Sequence, residues 1–480
     1  MKQTDWKIIY SSYRGVAKRA IQLLSREVGR YVIREQGVYR IHVLPCEQEG
    51  VEVSKNAFLI GCYGESELIR SHVAADEVPE GGFMVKVIAN PADEEGRLVV
   101  LTAKEEKGLL YAVISFLDDY LPDHAPFHGS NRMPELVFDK PLPVYSFSEV
   151  PAYKKRSVFT WGHSINDYRA YIDNMARVRL NELILWNDYV PVNIDEIIDY
   201  AHSYGITVVL GYSWGWNEMR GAGTALDQEY LNRVKERAVK EYRETYAPLG
   251  CDGIYFQSFT ERTDDSINGK EIAAAVTDMV NEIAEEMWKI TPDLRLLFGL
   301  HATSVKNRLS EIARVNPKID IMWEDCGTFP YNYYTTVKSE EEFEETLAFT
   351  KEMLHLRGGV GVGLVFKGVM MLDWNKFVHQ TGPYVMGNNH PDVSDHDRHV
   401  RAGGWRIYAA DWMKNGAYAR RMMAFIEENK LGEVHMCTAG TFDGGIYLPF
   451  ALCAELFYRA DQDYTDTLHH VARRSYIRVD

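Results

Sequence analysis

From Tyr153 onward, short apolar segments alternate with stretches of helical periodicity. The apolar segments predict eight strands, at Ser157–Gly162, Glu182–Asn187, Thr207–Gly211, Gly253–Gln257, Arg295–Leu300, Ile319–Trp323, Gly361–Phe366 and Glu433–Cys437. The periodic stretches predict helices at Asn166–Val178, Ile194–Tyr204, Leu231–Thr245, Lys270–Lys289, Ser304–Val315, Glu341–His355 and Gly404–Glu428, with a last one at Pro449–Tyr458. Eight strands, each followed by a helix, are typical of a closed (β/α)8 TIM barrel, an α/β fold. An open doubly wound sheet would need a glycine-rich phosphate turn after the first strand, where this sequence has TWGHSIND.

The residues before the barrel have a different pattern. Strands are predicted at Val38–Leu44, Ala57–Gly61, Gly82–Val87 and Leu98–Thr102, and helices at Ala17–Val28 and Gly108–Leu121. Mixed strands and helices in this space predict a small α+β accessory domain over residues 1–145. The proline-rich stretch Pro134–Pro151 predicts a linker, and the barrel is assigned to residues 152–480.

Charge and composition limit the partners. The net charge of -16 disfavours nucleic acid and anionic membrane surfaces, because both repel an acidic protein. The six cysteines form no CxxC pair, and no apolar run is long enough for a signal peptide or a membrane span, so we expect a cytoplasmic protein. The sequence is also compatible with a homo-oligomer. The segment Lys367–Arg401 could either cover the ligand cleft expected in the barrel or contact a partner chain.

The carboxyl ends of barrel strands are where the chemistry is expected, since barrel enzymes place their active sites there. Five of the ten tryptophans lie at or just after the carboxyl ends of predicted strands, namely Trp161, Trp186, Trp214, Trp216 and Trp323. Acids stand among them at Glu261, Glu324 and Asp325. Indoles around carboxylates suit a sugar, because its C–H faces stack on aromatic rings while carboxylates accept its hydroxyls.

Each of these features also has a structural interpretation. Glu324 and Asp325 would then cap the next helix, and Glu261 would be an exposed loop acid. Trp214 and Trp216 would cover the end of the barrel core, and His163 and His301 would be ordinary buried histidines. The functional interpretation is favoured because several of these residues are expected to face one cleft.

Metal and cofactor chemistry fit less well. Only His163 and His301 stand at strand ends, without the HxH typical of metal-dependent barrel hydrolases. No P-loop, dinucleotide fingerprint or GxSxG elbow occurs in a supporting context. The sequence therefore predicts no metal and no cofactor, and two carboxylates without a metal favour glycoside cleavage.

Several segments resemble family 20 β-N-acetylhexosaminidases. FLIGCYGES, GGFMVKVI and LVVLTAKEEKGLLYAVISFLDDYL are similar to the domain that precedes the barrel in that family and in family 67 α-glucuronidases. PAYKKR is similar to the strand whose arginine binds the terminal sugar, so the resemblance implies that role for Arg156. VRLNELILWND is similar to the second strand, so Asp188 matches its acid. The resemblance covers roughly residues 55–262.

The chain departs from the family after the fourth strand. The family has an Asp–Glu pair there, in which Asp orients the substrate acetamide and Glu is the general acid. DGIYFQSFTE places Glu261 at the acid but Thr260 at the Asp, and SWGWN replaces the acidic motif of the third strand. Glu324, with Asp325 as substitute, is therefore predicted as the base or nucleophile, since two carboxylates suffice for glycoside cleavage.

The sequence thus predicts an exo-acting glycoside hydrolase with Glu261, Glu324 and Asp325 as catalytic residues, and the expected partner is an oligosaccharide or glycoside substrate. Predicted substrate-binding residues are Arg156, Trp161, His163, Trp186, Asn187, Asp188, Trp214, His301 and Trp323. Two alternatives stay open. One is an α-glucuronidase-like hydrolase, for which Lys367 and Arg156 supply the cations, and the other is a carbohydrate-binding relative without activity.

Overall fold

The chain divides into two units, residues 1–151 with 202–205 and residues 152–201 with 206–480. The computed structural model describes residues 6–32, 43–53, 55–124, 129–130, 133–134, 141–160, 165, 167–186, 190–216, 226–369, 391–440 and 444–478. The first unit contains a mixed sheet and the second a closed barrel.

The sheet of the first unit has six strands in the order β2-β1-β3-β5-β4-β8. These are β1 (Trp6–Tyr10), β2 (Cys46–Gln48), β3 (Asn56–Cys62), β4 (Phe83–Asn90), β5 (Asp93–Ala103) and β8 (Tyr145–Glu149), and a separate pair is formed by β6 (Gly129–Ser130) and β7 (Met133–Pro134). Strands β1, β2, β3 and β5 run parallel, whereas β4 is antiparallel to both of its neighbours. The helices are α1 (Gly15–Val32), α2 (Glu67–Arg70), α3 (Glu106–Ser115) and α4 (Leu121–His124). Strand β3 is buried along almost its whole length, as expected for a strand covered on both faces.

The linker prediction is wrong at its carboxyl end. Residues Tyr145–Glu149 pair with Phe83–Val87 as an edge strand, so the sheet extends beyond residue 145. A strand at the edge needs hydrogen bonds on one side only and tolerates nearby prolines, which explains why the proline signal was misleading. Most of the predicted strand Val38–Leu44 lies outside the described residues.

The second unit is a closed barrel of eight parallel strands, as predicted. Its strands are β9 (Arg156–Phe159), β10 (Glu182–Trp186), β11 (Thr207–Ser213), β12 (Gly253–Gln257), β15 (Leu296–His301), β16 (Ile319–Glu324), β17 (Val362–Phe366) and β18 (Val434–Ala439). Pairing of β18 with β9, for example Ala439 with Phe159, closes the ring. Two short pairs lie outside the barrel, and each of their strands has two residues. They are β13 (Ser266–Ile267) with β14 (Lys270–Glu271), and β19 (Ile446–Tyr447) with β20 (Ile477–Arg478). The barrel strands are buried nearly throughout, which explains their continuous apolar runs in the sequence.

Helices connect the barrel strands and follow the last one. They are α5 (Tyr168–Arg177), α6 (Ile194–His202), α7 (Gln228–Glu241), α8 (Ile272–Ile290), α9 (Leu309–Ile312), α10 (Glu340–His355), α11 (Pro391–Asn429), α12 (Leu448–Tyr458) and α13 (Tyr464–Ala472). The helix predicted over Ser304–Val315 is shorter than expected, because Ala302–Arg308 forms successive turns before α9 begins. In the described part of the chain, no helix has the length and apolar character needed to cross a membrane.

A buried charge network lies where the barrel strands begin. We call Glu182, Arg295, Asp320 and His435 the amino-end network. Arg295 forms ion pairs with Glu182 and, at 3.2 Å, with Asp320. The Nε2 atom of His435 lies 2.9 Å from Glu182, and its Nδ1 lies 3.2 Å from a nitrogen of Arg295. Because Glu182 and His435 are buried, these contacts replace water at the base of the barrel.

Candidate active site at the carboxyl end of the barrel

Glu324 is the last residue of β16, and its side chain is fully buried. Its Oε1 atom accepts hydrogen bonds from Tyr255 at 2.5 Å and from Gln257 at 2.8 Å. Both donors lie on β12, so Glu324 is held inside the barrel between two strands. No part of this carboxylate reaches the solvent.

Asp325 follows directly and is the more accessible acid. Its side chain is 31% exposed, and its backbone has a φ of 49°, in the left-handed region that a residue other than glycine rarely adopts. Lys367 donates to Asp325 Oδ1 at 2.7 Å, and His301 Nδ1 bonds to Oδ2. A strained backbone that is held by two side-chain contacts is typical of a functional position.

Two buried cationic groups stabilise these acids. Lys367 lies 3.0 Å from Glu324 Oε2 in addition to its contact with Asp325, and its side chain is fully buried. His301 is 3% exposed, and its Nε2 lies 3.7 Å from Glu324 Oε2. We call His301, Glu324, Asp325 and Lys367 the carboxyl-end network.

The network sets the protonation of its members. Burial alone would raise the pKa of Asp325, but Lys367 and His301 outweigh burial and hold that pKa well below its usual range. Burial alone would lower the pKa of His301, but Glu324 and Asp325 outweigh it and raise that pKa. The pKa of Lys367 is raised for the same reason, against the effect of burial. Asp325 is therefore a carboxylate that persists at any physiological pH.

Glu261 lies on the loop after β12 and is exposed. The indole N–H of Trp216 donates to its carboxylate at 2.5 Å. The Trp216 ring meets Trp186 edge to face at 6.4 Å, and Trp186 meets Tyr255 in the same way at 6.0 Å. Because Tyr255 binds Glu324, a continuous chain of aromatic contacts connects the Glu261 loop with the carboxyl-end network.

Tyr333 joins this site without having been predicted. Its ring centre lies 5.0 Å from the Lys367 ammonium nitrogen. Burial raises the pKa of its phenol, and the charges of Asp325, Glu324 and Glu261 raise it further. The phenol is thus within electrostatic reach of all three predicted catalytic acids. A usable signal was the aromatic segment YNYY, seven residues after Glu324.

A cleft of about 510 Å³ adjoins Asp325. It lies between the loop after β15, the loop after β16 and one face of α10. The lining residues are Ala302, Thr303, Lys306, Asp325, Cys326, Gly327, Asn332, Glu342, Glu345, Thr346 and Phe349. The volume is in the range of small-molecule sites, and polar groups with one aromatic ring suit a sugar unit.

The structure places two predicted binding residues away from this cleft, Arg156 and Trp214. Arg156 is buried at the amino end of β9 and donates to the backbone carbonyls of Arg179 and Tyr153. Trp214 is fully buried and stacks on Phe256, with 3.5 Å between ring centres. These environments favour structural roles for Arg156 and Trp214.

Trp323 is also buried, and it supports the site from below. Its ring meets the edge of Phe349 at 6.3 Å, and Phe349 lines the cleft. Trp186 is 8% exposed among the aromatic rings at the mouth. Four predicted residues lie outside the described part of the chain, namely Trp161, His163, Asn187 and Asp188.

The described residues offer little to a metal ion. Among them, no group of three or more histidine, cysteine, aspartate or glutamate side chains has an arrangement that could hold one. Glu324 and Asp325 instead pair with His301 and Lys367.

Several solved glycoside hydrolases have a similar fold, although neither a family model nor a curated protein sequence matches the chain. The family 20 β-N-acetylhexosaminidase from Streptomyces coelicolor is 13% identical, with a TM-score of 0.54 over 98% of this chain and 91% of that one. A mutant Streptomyces plicatus β-hexosaminidase in complex with its product GlcNAc is 13% identical, with a TM-score of 0.53 over 98% of this chain and 90% of that one.

A family 115 4-O-methyl-α-glucuronidase with specificity for decorated arabinogalactans is also similar. It is 13% identical, with a TM-score of 0.50 over 98% of this chain and 59% of that one, so this chain spans about three-fifths of its length. Identities this low concern the fold alone. The chain therefore has a fold that family 20 hexosaminidases and other glycoside hydrolases share.

Proposed function

We propose that this protein is an exo-acting glycoside hydrolase that cleaves a terminal N-acetylhexosaminide or a related glycoside. The observation that carries the proposal is the presence of two accessible acids, in different environments, at the carboxyl end of the barrel. Asp325 is held as a carboxylate beside a cleft. Glu261 lies on an exposed loop and accepts a hydrogen bond from the indole N–H of Trp216. Glycoside hydrolysis needs one carboxyl group to protonate the leaving oxygen and one to assist at the anomeric carbon.

In this proposal Glu261 is the general acid. It lies on the loop after the fourth barrel strand and is open to solvent, so a leaving group can approach it. Asp325 is the second carboxylate, either the nucleophile or the base that activates water. Its persistent negative charge also stabilises the oxocarbenium-like transition state.

Glu324 is better suited to a supporting role than to the base role expected from the sequence. Both of its oxygens face protein groups, and the side chain has no exposed surface. Its contacts with Lys367 and His301 position the two side chains that hold Asp325. The role of base or nucleophile therefore passes to Asp325 in our proposal.

The uronide alternative has less support. A uronidase needs a cation that pairs with the substrate carboxylate, and Lys367 is fully buried between Glu324 and Asp325. Arg156 is committed to backbone carbonyls at the other end of its strand. Lys306 lines the cleft, but Asp325, Glu342 and Glu345 line it as well. An anionic sugar would meet more negative than positive charge there.

The test is a panel of nitrophenyl glycosides with both anomers of N-acetylhexosaminides and of uronides. We expect the wild-type protein to cleave an N-acetylhexosaminide. Glu261→Gln and Asp325→Asn should each lower kcat by roughly 10²–10⁴, the range for loss of acid–base catalysis. Asp264→Asn removes an exposed acid from the same loop as Glu261 and should stay within about twofold of wild type, as surface changes usually do.

The same panel contains the results that contradict the proposal. Unchanged turnover in Glu261→Gln removes Glu261 from the mechanism, and cleavage of uronides alone selects the uronidase. Binding of N-acetylglucosamine by calorimetry without cleavage of any glycoside selects a carbohydrate-binding protein. For an active enzyme, the anomer of the first product, followed by NMR, decides between retention and inversion.

A further inference from the structure

The conformation of Asp325 needs support from its neighbours. Its left-handed backbone, with a φ of 49°, is a sparsely populated conformation that costs free energy. Lys367 and His301 each hold one of its two carboxylate oxygens, and both are buried, whereas Asp325 itself is 31% exposed. The two cationic groups therefore act from beneath and leave the outer side of the carboxylate open to the cleft.

The two nitrogens of His301 face two different acids. Nδ1 bonds to Asp325 Oδ2, and Nε2 lies 3.7 Å from Glu324 Oε2. Within the described part of the chain, His301 Nε2 is buried and has no hydrogen-bond partner, whereas Glu324 Oε2 has the Lys367 ammonium at 3.0 Å. Two carboxylates with only Lys367 between them would leave one negative charge buried, which is costly. A proton on each nitrogen of His301 removes that imbalance.

We propose that His301 is a positioning residue of the glycosidase site, an imidazolium that fixes the Asp325 carboxylate toward the cleft. This inference rests on the proposed function, because it assigns Asp325 as a catalytic carboxylate. His301 does not touch the substrate in this scheme. It acts through Asp325, and Lys367 supplies the other half of the support.

The proposal implies a pH dependence that Lys367 cannot produce. Among the described residues, the charged and titratable groups that face His301 are Glu324, Asp325 and Lys367, and the two acids dominate over the lysine. His301 therefore stays protonated beyond the ordinary histidine range of about 6.5. When the pH rises past that raised value, His301 loses its positive charge although it can keep an N–H at Nδ1, so Asp325 is held less firmly and catalysis should decline.

The experiment uses 2,4-dinitrophenyl glycosides, whose leaving group departs without protonation, so the pH profile does not depend on Glu261 as general acid. His301→Asn keeps an N–H donor near the Nδ1 position but removes the charge. We expect kcat to fall about tenfold in this variant and about a hundredfold in His301→Leu, the effect of a misplaced catalytic group, with KM nearly unchanged. The alkaline decline of kcat in the wild-type enzyme should be absent in His301→Asn.

Two controls separate positioning from general stability. His469→Asn changes an exposed histidine of α13 and should leave kcat and its pH profile unchanged. A smaller loss in His301→Asn than in His301→Leu supports positioning through the Nδ1 donor, whereas equal losses contradict it. A persistent alkaline decline in His301→Asn also contradicts the proposal.

Spectra of ¹⁵N-histidine-labelled protein test the ion pair without any activity. The His301 signal, assigned by its loss in His301→Asn, should show an imidazolium at neutral pH in the wild-type protein. Its titration should move toward the ordinary histidine range in Asp325→Asn. An ordinary titration in the wild-type protein overturns the inference even if the enzyme is active. Inertness toward every glycoside instead overturns the proposed function, while these spectra still decide the ion pair.

Discussion

The two ends of the barrel contain similar residue types but have opposite electrostatic behaviour. The amino-end network has a glutamate, an aspartate, a histidine and an arginine, and the carboxyl-end network has a lysine in place of the arginine. At the amino end, burial lowers the pKa of His435, and the approach of Glu182 does not compensate for it. At the carboxyl end, Glu324 and Asp325 raise the pKa of His301.

The direction of each shift follows from the neighbours of the ring. Arg295 lies 3.2 Å from Nδ1 of His435, so a second proton on this ring would face a guanidinium. His301 has a carboxylate near each nitrogen instead. Counting acids and histidines along the chain would not distinguish the two networks. The number of carboxylates that face each ring does.

Exposure is the second difference. At the amino end Glu182 is 3% exposed and Asp320 is 19% exposed, and Arg295 bonds to both. At the carboxyl end Asp325 is 31% exposed and lines a cleft. The amino-end network therefore has a structural role in the barrel interior, whereas the carboxyl-end network presents a charged group to a ligand.

The largest effect is expected from Glu182→Gln. This change places an amide next to Arg295 and His435, and breaks a buried ion pair, which typically costs about 3–5 kcal/mol. Denaturant unfolding should show that loss in the free energy of unfolding. The kcat of the folded fraction should stay within about twofold of wild type, in contrast to Asp325→Asn.

Glu282→Gln is the matched control, since Glu282 forms an exposed ion pair with Lys235 and should cost at most about 1 kcal/mol. A large fall in kcat for folded Glu182→Gln would contradict the difference in role between the two ends. It would mean that the amino-end network also takes part in catalysis.

Most of the barrel could be predicted from the sequence, because a buried parallel strand leaves a continuous apolar run. Strand β12 was predicted with its exact bounds, Gly253–Gln257, and the others differ by a few residues. The first sheet was harder. Strands β1 and β2 are short and β8 lies among prolines, and their pairing partners are distant in the chain. Such strands are defined by tertiary contacts rather than by local pattern.

The position of the candidate site could be predicted in part. The strand-end rule led to Glu261, Glu324 and Asp325, all of which lie at the carboxyl end of the barrel. It did not distinguish the buried Glu324 from the exposed Asp325, since neighbouring residues at a strand end point in different directions. Nor could it show that Trp214 turns into the core while Trp216 reaches Glu261.

A change of pH is expected to have opposite effects on the stability that His301 and His435 contribute. The raised pKa of His301 contributes stability that is complete below about pH 6.5 and is lost as the pH rises through the folded-state value. The lowered pKa of His435 contributes stability above about pH 6.5 that is lost as the pH falls. Both contributions can be measured from the unfolding free energies of wild type, His301→Asn and His435→Asn between pH 5 and 9.

The decisive quantity is the stability of wild type minus that of each variant. For His301→Asn this difference should shrink as the pH rises, and for His435→Asn it should shrink as the pH falls. Two differences that change in the same direction would contradict the opposite protonation of the two rings. His469→Asn, an exposed substitution, should show no comparable dependence.

The smallest effect is expected at the rim of the amino-end network. Lys155 lies 3.1 Å from Asp320, but its side chain is 43% exposed and Arg295 also binds that acid. Lys155→Gln should therefore cost only about 0.2–1 kcal/mol of unfolding free energy, and 1 M NaCl should reduce the difference further by screening. Lys367 has the same ammonium group but no exposed surface and two acids to hold. A salt-insensitive loss well above 1 kcal/mol in Lys155→Gln would mean that the amino-end network depends on its lysine as the carboxyl-end network does, and burial would then not explain the difference between the two ends.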